Sequence, residues 1–207
     1  METPSQPIIQ AADRSSRAAA VILVLFPDPD PAAADPRILF TVRTNRVADH
    51  KGQICFPGGS REPDDEDFVT TAIRELAEET GVVVRRGQIV AALPPVYTVA
   101  TRYVIHPFVA YLSQRPTIEP DDYEVAEVFD VSARRLLDPA IQRVENWDSF
   151  GVPREVYFFD CDEHIIWGAT ARILRQFLDA YTPEWWREVR AERVSYAPAT
   201  EEPPRPV

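Results

Sequence analysis

Arg74-Glu75-Leu76-Ala77-Glu78-Glu79-Thr80-Gly81-Val82 is the stretch on which the reading of this chain turns. Three carboxylates fall within five residues near the end of an expected helix. Positions three and four apart share a helical face, so Glu75, Glu78 and Glu79 are expected to project together and to repel one another. They also crowd a helix C-terminus, where the dipole disfavours negative charge. A merely solvated acidic face is the plain reading of such a run. A bound divalent cation with hard oxygen ligands is the reading that offsets the repulsion.

The residues upstream favour the second reading. Phe56-Pro57-Gly58-Gly59 supplies a glycine pair for a tight loop with exposed backbone, and Asp64, Asp65, Glu66 and Asp67 then open the helix at the end where acids are favourable. Gly81 closes it. The expected helix spans about residues 65–81.

Taken together, the loop, the acid-capped helix and the Glu-Glu-x-Gly exit resemble the Nudix box, the loop–helix–loop signature of hydrolases that cleave a nucleoside diphosphate linked to another moiety. Arg74 to Val82 matches its second half throughout. In the first half one residue is inserted: Glu66 has the family's spacing to Arg74, whereas counting forward from Gly59 lands on Asp65. Both stay open for the first acidic position.

The insertion, together with Leu39-Phe40-Thr41-Val42-Arg43 and His50-Lys51-Gly52-Gln53-Ile54-Cys55-Phe56-Pro57-Gly58-Gly59, resembles the coenzyme A pyrophosphatase branch of that family. Ala48 replaces a basic residue of the branch pattern, with Arg46 and Lys51 close by. Trp167-Gly168-Ala169-Thr170-Ala171 resembles the way this branch ends its domain.

The resemblance covers about residues 18–181 and implies a Nudix fold, an α+β arrangement with a mixed β-sheet in an α/β/α sandwich. It implies Mg²⁺ or Mn²⁺ bridging the substrate phosphates and the box carboxylates. The products would be adenosine 3′,5′-bisphosphate and 4′-phosphopantetheine. Glu75, Glu78 and Glu79 would hold metal, joined by the backbone carbonyl of Gly59, while Arg74 would orient a box glutamate. Glu124 and Glu127 are candidates for a further acid, and Glu124 is taken as the catalytic one; acids on an exposed strand edge are the alternative. Substrate-binding roles fall to Arg43, Arg46, His50, Lys51 and Gln53. Other diphosphates, among them ADP-ribose, nucleoside diphosphate sugars and dinucleoside polyphosphates, are the rival substrates, and a non-catalytic nucleotide sensor is the rival from another class. The intact Glu78-Glu79 pair argues against the sensor, since a pure binder has no need of a repulsive cluster.

Charge supports a local phosphate site. The formal net charge is −11, so a polyanion meets a repulsive field unless cations such as Arg43, Arg46, His50 and Lys51 gather locally. The same balance argues against a nucleic acid polymer as partner. With three histidines a His-based metal site is not expected, and two cysteines imply no disulfide framework.

No apolar run approaches the roughly 20 residues that span a bilayer, and residues 1–17 lack a signal peptide's apolar core. A cytoplasmic protein without membrane contact is the expectation, with a homodimer left open.

At 207 residues and 45% hydrophobic composition one domain is expected, over residues 18–194, between a disordered segment 1–17 and a disordered Pro-rich tail 197–207. Ala18–Phe26 and Arg37–Arg43 read as a hairpin with a long Pro-rich connection. Further strands are expected at 88–93, 103–112, 124–131, 155–159 and 165–167. Ile173, Leu174, Phe177, Leu178 and Tyr181 form the stripe of an amphipathic helix, and Pro183 begins a last short one in which only one of Trp185 and Trp186 faces inward. Trp167 is expected in the core.

Overall fold

The computed structural model describes residues 17–30, 35–46, 52–98, 101–149, 151–192 and 196. The segments expected to be disordered lie outside these residues, except that Arg17 already begins a strand. Two long apolar strands form the centre: β1 (Arg17–Pro27) and β2 (Pro36–Arg43). They are antiparallel, as the hairpin reading expected, but pair only from Leu25↔Ile38 to Pro27↔Pro36. Beyond that they splay, and the segment 54–60 fills the fork. Its first part, β3 (Ile54–Cys55), pairs with β2 at Thr41 and Val42. Its second, β4 (Gly58–Ser60), pairs with β1 at Ala19 to Val21.

The remaining strands extend this sheet. After helix α1 (Phe68–Thr80) come β5 (Ile89–Ala92), β6 (Val96–Thr98), β7 (Tyr103–Tyr111) and β8 (Val125–Ser132). β7 runs parallel to β1 over nine residue pairs, whereas β5 and β6 pair antiparallel with β7 and β8 antiparallel with β2, so the sheet is mixed. A one-turn helix, α2 (Ala133–Leu136), leads to a separate three-stranded antiparallel sheet of β9 (Gln142–Ser149), β10 (Val152–Cys161) and β11 (His164–Trp167). Helices α3 (Gly168–Ala180) and α4 (Pro183–Arg190) follow.

Period-two alternation along β1 divides the interior. Ala20, Ile22, Val24 and Phe26 face α1, meeting Val69, Ala72 and Leu76. Leu23 and Leu25 face the other way, toward Ile173, Leu174, Phe177 and Leu178 of α3 and Trp186 and Val189 of α4. The result is the expected three-layer sandwich, with one apolar cluster on each side of the sheet. Trp186 is buried and Trp185 only partly so, which honours the rule that one of the pair faces inward.

Two expectations are corrected. Helix α1 begins at Phe68, with Asp67 as its cap accepting the Thr70 N–H at 2.8 Å. The acids at 64–66 therefore precede the helix. Trp167 is 39% exposed and lies on the outer face of the small sheet beside Trp147 and Phe158. Its neighbour in sequence, Ile166, takes the core position instead, because alternate residues of a strand point to opposite faces.

Candidate active site

The site forms where the fork between β1 and β2 meets the C-terminal half of α1. Gly81, with φ of +71°, ends the helix in the left-handed conformation and returns its N–H to the Ala77 carbonyl. The next free carbonyls are satisfied by the loop before β8: Glu119 N–H donates to Thr80 O at 2.8 Å and Asp121 N–H to Glu79 O at 3.0 Å. The same loop is tied to β2, since Thr44 N–H donates to Glu124 O at 2.8 Å and the Thr44 hydroxyl to Tyr123 O at 2.6 Å. Backbone bonds thus deliver Glu124 to the end of the box helix.

The three box glutamates have different surroundings. Glu79 is 2% exposed; one carboxylate oxygen accepts the Gly58 N–H at 3.1 Å and the other accepts Arg43 Nη1 at 3.0 Å. Burial pushes it up to about 7, against the pull of Arg43 and Gly58. Glu75 is half-buried and also raised, chiefly by burial. Glu78 points outward, its side chain 59% exposed, and accepts Arg74 Nη1 at 2.9 Å. The expectation that all three project together therefore fails, because neighbouring helical positions 78 and 79 diverge by about 100°. Glu75 feels the charges of both Glu78 and Glu124, whereas Glu79 feels those of Glu75 and Glu124.

Arg74 is held from several sides. Its Nε and Nη2 donate to the two oxygens of Asp65, both at 3.1 Å, and Nη2 also donates to Ser60 O at 3.2 Å. Nη1 meets Glu75 at 3.0 Å as well as Glu78. Asp65, 6% exposed, accepts two more bonds, from Glu62 N–H and the Thr71 hydroxyl, both at 2.9 Å. The Arg74 guanidinium and these donors hold Asp65 down at about 2. Of the two residues left open by the insertion, Asp65 is the one that meets Arg74; Glu66 offers its backbone carbonyl to Arg61.

Arg43 lies at a bulge, where the β2–β8 register shifts between Val42 and Arg43. It spans two acids: Nη1 to Glu79, and Nη2 to Glu124 at 3.4 Å. This residue, expected at a phosphate, thus sits inside the carboxylate cluster. Arg46 is exposed, with its N–H donating to the Thr44 hydroxyl at 3.2 Å. Gln53 is half-buried and its carbonyl accepts the Arg43 N–H at 3.0 Å. His50 and Lys51 lie outside the described residues. Glu127, the other candidate acid, points to the opposite side of the sheet and pairs with His164 at 3.2 Å.

Two participants escaped the sequence reading. Cys55 sits beside Arg43, its sulfur 3.2 Å from the Thr41 hydroxyl, and desolvation raises the thiol to about 11, so it stays protonated at neutral pH. The signal available was parity: Thr41 and Arg43 share a face of β2, and Cys55 is the partner of Thr41. The second is the Gly58 N–H, a backbone donor that no side-chain motif announces.

Among the described residues, no three His, Cys, Asp or Glu side chains converge as a ready-made metal cage; arginines stand between the carboxylates. The donor set nonetheless fits a hard divalent cation. It is oxygen-only, burial disfavours the anionic forms of Glu75 and Glu79 even with an arginine beside each, and Gly59 clears the space beside Glu75, whose carboxylate would lie 2.5 Å from a Cβ at that position.

Comparison with known proteins bears on the same region. A family model described as NUDIX domain matches residues 16–149. The chain is 31% identical over 162 residues to "Uncharacterized Nudix hydrolase NudL" of Photorhabdus laumondii subsp. laumondii, spanning 78% of this chain and 83% of that one. It is 29% identical over 163 residues to the protein of the same name from Yersinia pestis (strain Pestoides F), spanning 78% of each. Among solved structures, a MutT/nudix family protein from Enterococcus faecalis superposes with a TM-score of 0.53 at 16% identity, covering 87% of this chain and 65% of that one. That last likeness bears on the fold alone.

Proposed function

Since the chain belongs to the Nudix family and is a hydrolase acting on phosphoanhydrides, we propose that its substrate is the diphosphate of coenzyme A or a short thioester of it. One observation carries the choice: the segment from Leu39 to Gly59, whose motif resembles the coenzyme A branch, contributes Arg43, Gly58 and Gly59 directly to the box carboxylates. No helix among the described residues is long and apolar enough to cross a membrane.

Glu75 and Glu79, with Glu78 at the rim and the Gly59 carbonyl, are the residues that would hold Mg²⁺ or Mn²⁺. When bound, the ion neutralises charge on the phosphate oxygens during displacement. The protein's own groups do the rest. Arg74, fixed by Asp65, holds Glu75 and Glu78 in place. Glu124, with its side chain 44% exposed at the mouth of the site, reaches water and is the group proposed to accept a proton. Water forms a new O–P bond, that proton passes to Glu124, and the bridging P–O bond breaks with its electrons leaving on the second phosphate. The products are adenosine 3′,5′-bisphosphate and 4′-phosphopantetheine or its acyl form.

The test is a panel of coenzyme A, acetyl-coenzyme A, ADP-ribose, nucleoside diphosphate sugars and diadenosine polyphosphates with Mg²⁺ or Mn²⁺, the products identified by mass. Coenzyme A or a thioester is expected to give the highest kcat/KM. A tenfold preference for ADP-ribose, about 1.4 kcal/mol in transition-state terms, would retire the coenzyme A reading and leave the family intact.

A further inference from the structure

We propose, resting on the metal-dependent reading above, that Arg43 is an exchangeable counter-ion. Without a divalent ion it bridges Glu79 and Glu124; when the ion binds, Arg43 gives up Glu79 and turns to a substrate phosphate. Two arginines enter this site, and their surroundings differ. Arg74 is saturated, its three nitrogens engaged by Asp65, Ser60, Glu75 and Glu78. Its anchor Asp65 is not a box glutamate, so Arg74 can stay in place whatever occupies the glutamates. Among the described residues, both carboxylate partners of Arg43, Glu79 and Glu124, belong to the site itself, and beside them it meets only the neutral Cys55 thiol.

Glu79 leaves little room for sharing. One oxygen is committed to the Gly58 N–H, and the other, in a side chain 2% exposed, is the one Arg43 touches. A divalent cation using Glu79 therefore meets the guanidinium at the same oxygen, and two cations at one buried carboxylate repel strongly. Release is feasible on the arginine's side. Arg43 stands at the bulge that ends β2, and its side chain is 21% exposed, so its long stem has an opening to solvent. Once free, its fork of donors suits a phosphate. Metal and phosphate binding are thereby linked through a single side chain, each favouring the other.

The experiment uses the full chain stripped with EDTA. Mn²⁺ is titrated into the parent and R43Q, and the signal of free aqueous Mn²⁺ is followed by electron paramagnetic resonance. R43Q should bind Mn²⁺ about tenfold more tightly, the scale of a typical coupling between linked sites. Binding of methylenediphosphonate, measured calorimetrically with and without Mn²⁺, should be strengthened by the metal less in R43Q than in the parent. Urea melts without metal establish that the variant is folded; if R43Q is not, R43K replaces it and is expected to tighten Mn²⁺ by a smaller factor. Equal or weaker Mn²⁺ binding in the folded variant would overturn the exchange. A parent that binds no Mn²⁺ would instead overturn the metal reading itself.

Discussion

Replacing Asp65 by Asn tests the link between the inserted loop and the box helix, and the structure sets the size of the effect. Asp65 is 6% exposed and accepts four hydrogen bonds, two of them from Arg74. Its carboxyl is lowered from 3.8 to about 2, with the Arg74 bonds the largest cause. A depressed acid contributes stability that is complete well above its unfolded pKa and disappears as pH falls through the folded one. The difference corresponds to about 2 kcal/mol at pH 7 and roughly half of that at pH 3. Asn keeps one acceptor oxygen but turns an amide donor toward the guanidinium, so D65N should lose most of that contribution. Urea denaturation at the two pH values would measure it, with E66Q as control; Glu66 is exposed, and its replacement should stay within about 0.5 kcal/mol. D65N should also lower kcat, since Arg74 then holds Glu75 less firmly. A parent-to-D65N gap that is the same at both pH values, or an E66Q loss equal to that of D65N, would refute the assignment.

Other outcomes follow from the same geometry. Glu79 is raised by burial, so in EDTA the folded state should lose stability as pH climbs from about 4.5 to about 7; Glu79→Gln should flatten most of that slope, leaving the smaller part due to Glu75, and be the more stable protein at pH 8, while losing turnover by orders of magnitude. Urea midpoints across that range check the sign, and a parent whose stability is flat there contradicts it. Gly59→Ala should leave the protein folded but nearly inactive, because the new Cβ meets the movable carboxylate of Glu75 at 2.5 Å. Gly58→Ala should unfold or strongly destabilise the chain, because its Cβ would meet the Ala20 carbonyl at 2.3 Å and the Val21 Cα at 2.6 Å, both backbone atoms. Thermal melts beside kcat separate the two, and an active Gly59→Ala would show that the space beside Glu75 is not needed.

What the sequence disclosed and what it hid follow from how each element is stabilised. Gly81 marks the end of α1 and an apolar stripe marks α3, so local chemistry suffices to find both helices, whereas four consecutive acids at 64–67 hid which of them caps the start of α1. β1 and β2 are dense apolar runs. By contrast β3 and β4 are two and three residues long, too short for any periodicity, and exist because the fork between β1 and β2 has backbone groups to satisfy. β9 is polar and largely exposed, so its pattern resembles a loop. In the site, the box glutamates were visible as a motif and the divergence of Glu78 from Glu79 follows from the helical step, yet the capture of Arg43 by two acids depends on the third dimension. Asp65 could not be chosen over Glu66 by spacing alone; the two bonds to Arg74 make the choice.

The glycine pair has a second consequence, for how the sheet finds its alignment. β1 is apolar on both faces, so sliding it by one residue would exchange Leu23 and Leu25 for Ile22, Val24 and Phe26 and leave each side greasy. Hydrophobic patterning, which fixes strand alignment when one face is wet, gives β1 little guidance. Steric exclusion supplies it instead. Val21 lies opposite Gly58 and Ala20 opposite Gly59, and at Gly58 the approach to β1 is closer than a Cβ permits. A slip of one residue in one direction would bring Pro57 opposite Val21, and proline carries the atom that does not fit there. Of the adjacent glycines, Gly59 therefore clears space for the chemistry while Gly58 is the notch by which the central strand is keyed into place.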